Sequence, residues 1–209
     1  MTADRLWQAA ALVAAYLVGS VPVGLLLVRW VKGVDIRETG SGNIGATNVW
    51  RLGGPRLGIP VFLLDFGKGI AAVMLGKWVA PGSYLIHVLA GMAGIVGSNW
   101  SIFLRFRGGR GVSMSLGVLV ALVPRVALIT FAVWLVALLT TRYVSVSSMA
   151  GALIVPVLMF LFHAPLAYSI LGLICCAFVM IRHIPNLRRL LAGTESRISL
   201  RTAKGGGTR

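Results

Sequence analysis

Apolar residues in this chain come in long, charge-free runs. Between Arg5 and Arg29 lie 23 uncharged residues, between Lys77 and Arg105 there are 27, and between Arg142 and Arg182 there are 39. A helix needs about 20 apolar residues to cross a bilayer, so the first two runs hold one span each and the third holds two. The pattern predicts a first helix over roughly 6–31, a polar, glycine-bearing segment over 32–56, a second helix over about 57–80 and a third over about 84–103. The second is interrupted by Asp65 and Lys68 and ends at the turn Pro81-Gly82-Ser83. An arginine- and glycine-dense segment follows, Arg105 to Gly111, then 14 uncharged residues (111–124) and 16 more (126–141). At about 1.5 Å per residue both stretches are short for a bilayer of about 30 Å. They are either tilted spans that use their flanks or a helical hairpin that dips into the membrane. The 39-residue run divides at His163-Ala164-Pro165.

The expected fold is therefore all-α: a polytopic membrane protein of about seven transmembrane helices. Residues 1–198 form a single integral-membrane domain, and 199–209 form a basic tail, expected to be disordered, with Gly205-Gly206-Gly207 near its end. Composition agrees: 57% hydrophobic and 12% charged residues, where soluble chains average about half and a quarter. Seven spans would leave roughly 70 residues for everything else. No sizeable soluble catalytic domain fits, so any chemistry uses loops and helix ends.

Charge sets the orientation. With seven spans, 16 of the 20 Lys/Arg collect on one side, while Arg5, Lys77 and Arg125 lie on the other and Lys68 lies within a span. The positive-inside bias then puts the N-terminus outside and the C-terminus in the cytoplasm. Removing one span would scatter the basic loops over both faces. The net charge of +15 would suggest nucleic acid in a soluble domain; here it reflects topology, and no nucleic-acid partner is expected. The N-terminal run, Leu6 to Val28, is long enough to span and has its basic flank after it, so it does not read as a cleavable signal. Cys175 and Cys176 are adjacent in an apolar stretch and offer neither a disulfide framework nor metal-ligand spacing.

The chemistry sits between the spans. Gly40-Ser41-Gly42-Asn43-Ile44-Gly45 is a literal G-x-G-x-x-G, with Asp65 20 residues beyond its last glycine. A membrane helix precedes it and Asp65 lies in an apolar segment, so the βαβ context of a dinucleotide fold is missing. The physics beneath the motif remains: glycines let backbone N–H groups converge on an anion. Ser41, Asn43, Thr47 and Asn48 add donors, and Arg51 supplies a planar fork suited to phosphate. Arg107-Gly108-Gly109-Arg110-Gly111 is a second such loop on the same face. One basic loop could anchor headgroups; two glycine-rich ones look like halves of one anion pocket.

Asp65 and Lys68 share a face at i,i+3 spacing. They are either functional, as intramembrane charges often are, or a paired structural bridge. Tyr143, Ser145, Ser147 and Ser148 lie where a helix re-enters the membrane. His183 and Asn186 end the last helix, followed by Arg188, Arg189 and Glu195. His183 is a candidate general base beside the pocket, whereas His87 and His163 fall near the opposite face and read as structural. No H-x-x-x-x-D pairing follows any histidine, which argues against the acyl-CoA-dependent glycerolipid acyltransferases, and there is no G-x-S-x-G elbow.

Five segments together resemble the bacterial acyl-phosphate:glycerol-3-phosphate acyltransferase family. They are Ser41-Gly-Asn-Ile-Gly-Ala-Thr47-Asn-Val-Trp-Arg51, Leu64-Asp65…Lys68-Gly69, Phe106-Arg-Gly-Gly-Arg110-Gly-Val112, Arg142-Tyr-Val-Ser-Val-Ser-Ser148 and His183-x-x-Asn186…Gly193-x-Glu195. The resemblance implies a seven-helix enzyme of the bacterial cytoplasmic membrane, with its active site facing the cytoplasm. Its substrates would be acyl phosphate and glycerol 3-phosphate, and its products lysophosphatidic acid and phosphate. No cofactor, metal or obligate protein partner is implied. By resemblance, Ser41, Thr47, Arg51, Arg110 and Ser148 match positions that bind substrate phosphate or glycerol, and Glu195 orients the basic groups around it; the residues themselves add His183 and Asn186 as candidate catalytic groups and Asn43, Lys68, Gly108 and Gly109 as candidate substrate-binding ones. The chain departs from the family pattern G-H-x-F-P, having Gly97-Ser98-Asn99-Trp100-Ser101, and carries Arg107 and Arg110 where the family has Lys. A transporter or channel for a phosphorylated or anionic solute is the alternative. It would show pocket residues near the midplane and inverted repeats, and no repeat stands out.

Overall fold

The computed structural model describes residues 3–198 and contains ten α-helices in that range. The tail expected over 199–209 lies outside the described residues. Helix α1 spans Ala3–Ser20, α2 Val23–Lys32, α3 Ala46–Gly53, α4 Pro55–Val79 and α5 Tyr84–Asn99. Helix α6 spans Val112–Leu122, α7 Pro124–Thr141, α8 Val144–Leu161, α9 Leu166–Arg182 and α10 Ile184–Leu191.

Among the described residues, five helical stretches are long and apolar enough to cross a membrane: Ala3–Lys32, Pro55–Val79, Tyr84–Leu104, Pro124–Thr141 and Val144–Leu161. Helices α9 and α10 make a sixth if their 48° bend is counted within one span. Helix α6, with 11 residues, reaches only about 16 Å.

Local sequence explains most boundaries. Pro55 and Pro124 sit in the first turns of α4 and α7, where the missing N–H costs nothing. Ser83 caps α5 through its hydroxyl, which accepts from the Ile86 amide at 3.4 Å. Gly33 closes α2 in the left-handed region, φ 69°, its N–H donating to the Arg29 carbonyl.

Two expectations change in detail. The first helix is not continuous over 6–31: Pro22 cannot donate to the turn before it, and the helix breaks there into α1 and α2. The polar segment 32–56 is not all loop, since it carries a 3-10 turn, Ile36–Glu38, and all of α3. Helix α3 buries Val49 against Leu25, Val28 and Ile36, so long-range packing sustains this eight-residue helix.

Helix α4 packs on α1, α5 and α6, α1 also packs on α5, and α8 lies between α7 and α9. The α4–α6 contact is glycine on glycine. A methyl on Gly69 would overlap the Met114 carbonyl, and one on Gly117 would overlap the Phe66 carbonyl. Close approach of this kind is how helices associate where no water drives them together. We expect Gly117→Val to lower the apparent melting temperature in detergent by about 5 °C, from an overpacking cost of roughly 1–3 kcal/mol. Gly67→Ala, whose added methyl meets no atom within 4 Å, should leave it unchanged.

Candidate active site

Asn48 shapes the first glycine loop. It is buried, and its Oδ1 accepts from the Ser41 amide at 3.0 Å. Its Nδ2 donates to the carbonyls of Thr39, at 2.9 Å, and Ile36, at 3.2 Å. Asn43 adds a local turn, Oδ1 accepting from the Gly45 amide at 2.8 Å. The amides that open α3 have no partner inside their helix, and Ala46 and Thr47 lie on the wall of a cavity. Arg51, on the last turn of α3, donates to the Ser196 carbonyl at 3.1 Å and so reaches the segment after α10.

The second glycine loop is held from both sides. The Gly109 amide donates to the Ser98 carbonyl at 3.0 Å, and the Arg182 guanidinium donates to the Gly109 carbonyl at 2.8 Å. Gly108 is packed against the backbone of Ser98 and Asn99, where no side chain fits, and is not part of the cavity wall. Ser98, at the place of the family histidine, thus holds the loop through its carbonyl, an interaction any residue supplies. Arg110 lines the cavity. Burial, with Arg189, Arg182 and Arg51 nearby and only Glu195 opposing them, pulls its pKa below the ordinary arginine value. A guanidinium does not deprotonate in proteins. The shift therefore reflects burial first, and the neighbouring guanidiniums second.

His183 and Asn186 flank the bend between α9 and α10, and both are buried. The Nδ1 of His183 lies 2.8 Å from the Val179 carbonyl. A carbonyl only accepts, so Nδ1 carries the proton and the neutral ring keeps a bare Nε2. The Nδ2 of Asn186 donates to Glu195 at 2.6 Å, while its buried Oδ1 has no hydrogen-bond partner. Glu195 also accepts from the Ser145 hydroxyl at 2.8 Å and from the Arg189 Nε at 2.7 Å. Burial alone would raise its pKa, but the hydrogen bonds from Asn186, Arg189 and Ser145 outweigh that and hold it below the usual glutamate value. A turn at Gly193, φ 69°, brings Glu195 back over the site.

These groups close one cavity of about 410 Å³. Ser41, Asn43, Thr47, Arg51, Lys68, Gly109, Arg110, Ser148, His183, Asn186 and Glu195 all line it. Its other wall is apolar, built from α6 to α9 and including Phe131, Trp134, Val155, Met159, Leu171 and Cys175. Of two further contributors, one is named from the sequence without a role and one only as the end of a charge-free run. Ser145 lies in the Tyr143–Ser148 segment and shares a helix face with Ser148 at i,i+3, a spacing that could have marked it. Arg182 is one of many basic residues on its side, and nothing local separates it from the rest. Among the described residues, no three His, Cys, Asp or Glu side chains converge to hold a metal ion.

A family profile described as glycerol-3-phosphate acyltransferase matches residues 9–193. The chain belongs to this family. It is 44% identical over 192 residues to glycerol-3-phosphate acyltransferase 2 of Moorella thermoacetica, covering 92% of this chain and 98% of the relative. It is 47% identical over 188 residues to the glycerol-3-phosphate acyltransferase of Desulforudis audaxviator, covering 90% and 93%. Among solved structures it is similar to PlsY, an integral membrane glycerol 3-phosphate acyltransferase, in its glycerol 3-phosphate form. The TM-score is 0.86 at 37% identity, covering 92% of this chain and 96% of that one. The lysophosphatidic acid form of the same protein matches with a TM-score of 0.84.

Glu195 gives the site an acid limit. Its folded pKa lies below its ordinary value of about 4.5, so its contribution to stability is present above that pH and is lost as pH falls through the folded value. We expect the melting temperature of Glu195→Gln to fall less steeply than that of the wild type on acidification through this window.

Proposed function

We propose that the chain transfers a fatty acyl group from acyl phosphate to the 1-hydroxyl of glycerol 3-phosphate, releasing lysophosphatidic acid and phosphate. One observation carries this reading. The bare Nε2 of His183 and three cavity-lining guanidiniums, Arg51, Arg110 and Arg189, gather at the polar end of a cavity whose remaining wall is apolar. Both substrates bear phosphate, and only one carboxylate, Glu195, offsets those guanidiniums at the polar end. Ser41, Asn43, Thr47, Arg51, Gly109, Arg110 and Ser148 bind the phosphates and glycerol, Gly108 sets the path of its loop, and the acyl chain lies along the apolar wall.

Acyl phosphate is a mixed anhydride, so no enzyme nucleophile is needed. The glycerol oxygen attacks the acyl carbonyl carbon, the bond to the phosphate oxygen breaks, and phosphate departs with that electron pair. The hydroxyl proton passes to His183 Nε2 or to a substrate phosphate oxygen. Asn186 Oδ1 has an unused acceptor site for the attacking hydroxyl, and Glu195 fixes Asn186 and Arg189 around it. Loop amides stabilise charge developing on the carbonyl oxygen.

Seven crossings, counting α6, would place this site on the cytoplasmic side of the bacterial membrane, with the N-terminus outside, where the positive-inside count puts it. The family relationship favours the enzyme over a transporter of anionic solutes.

Purified protein in lipid, given labelled glycerol 3-phosphate, should form lysophosphatidic acid with acyl phosphate and none with acyl-CoA. Absence of product from acyl phosphate, where a known family member makes it, overturns the proposal. His183→Ala should lower turnover by roughly 10²-fold or more if the histidine is the base; near-normal turnover assigns the proton to substrate phosphate.

A further inference from the structure

Asp65 and Lys68 lie on α4 within a span, at the edge of the cavity, with side chains 17% and 11% exposed. An ammonium in such a place needs partners. Lys68 has two: Nζ donates to Asp65 Oδ1 at 2.9 Å and to the Val21 carbonyl at 2.6 Å. The Val21 carbonyl stands at the break between α1 and α2. A continuous helix would bond it to the amide four residues on. Here it is reached by the Val23 amide of the turn and by Lys68. Lys68 thus seals the opened backbone of one span from another, and Asp65 holds Lys68 in register.

Helix α2 carries that constraint to the first glycine loop. A methyl on Gly24 would overlap the Ile44 carbonyl, so α2 lies directly on the loop backbone. Leu25 and Val28 of α2 pack with Ile36, Val49, Leu57 and Val61 into one cluster, with Ile44 against it. Helix α2, the loop, α3 and the start of α4 are therefore packed as one unit.

We propose that Asp65 and Lys68 are a positioning pair for the first glycine loop: by pinning Val21 they set where α2 presses on Ile44, and so where the loop amides stand. Lys68 acts through backbone instead of binding substrate itself, the role expected of it from the sequence. The proposal rests on the reading of that loop as phosphate-binding.

The test compares Lys68→Met, Asp65→Asn, Gly24→Ala and Lys68→Arg in lipid. It reads kcat and KM for both substrates, and the rise in melting temperature that inorganic phosphate produces. Lys68→Met, Asp65→Asn and Gly24→Ala should each lower kcat/KM by about 10²-fold, the cost of misplacing a binding group by about 1 Å. The same three should also shrink the phosphate-induced rise. Lys68→Arg, which keeps a cationic donor, should restore most of both. The proposal is overturned if Asp65→Asn keeps wild-type kcat/KM and phosphate response while Lys68→Met loses them, because Lys68 is then a direct ligand. It is equally overturned if Gly24→Ala, folded, behaves as wild type. A wild-type protein that makes no lysophosphatidic acid overturns the acyltransfer reading, and the phosphate response then reads the pair by itself.

Discussion

Inside a bilayer an opened backbone has no water to bond to, so irregular chain survives only where protein groups satisfy it. That constraint organises this molecule. Several interruptions of its helices are sealed by a side chain from another element. Lys68 reaches the Val21 carbonyl, the Ser101 hydroxyl donates to the Ser20 carbonyl at 2.6 Å, and the Tyr16 hydroxyl donates to the Trp100 carbonyl at 2.8 Å. Lys77 closes the short helix α6, donating to the Ala121 carbonyl at 2.6 Å. Two of these seals, at Ser20 and Val21, lie on the wall of the cavity that the glycine loops line. The non-helical backbone beside the cavity thereby has protein partners for its polar groups.

Electrostatics then decide what the pocket accepts. Arg51, Arg110 and Arg189 face one buried carboxylate, and that carboxylate already has three donors. Its hydrogen bonds fix Asn186 and Arg189, so the surplus positive charge is oriented before substrate arrives. Preorganised donors of this kind need little rearrangement as charge develops, which is where electrostatic catalysis gains most of its effect. An apolar wall stands beside them in the same cavity. A glycerolipid acyltransferase needs both halves, and the cavity joins them.

Much of this was legible in the chain. The charge-free runs located the long helices to within a few residues, because a bilayer imposes a length that composition must meet. The glycine loops were visible because closely spaced glycines among polar and basic residues stand out between the apolar runs. His183, Asn186 and Glu195 could be named from a motif. What they do for one another could not, since Glu195 meets Ser145 from 50 positions away. The break at Val21 has its local signal in Pro22, but the charge-free run continues smoothly across it, so run length alone does not register the interruption.

The sequence by itself determined which segments form long apolar helices and where the glycine- and arginine-rich loops fall between them. These depend on local composition, and the membrane reads composition directly. Tertiary structure alone decided that Lys68 bonds a carbonyl 47 positions away, that Arg182 holds Gly109, and that a segment beyond the last helix folds back over the site. Such partnerships depend on which helix faces meet, and that follows from glycine-sized contacts between helices far apart in the chain.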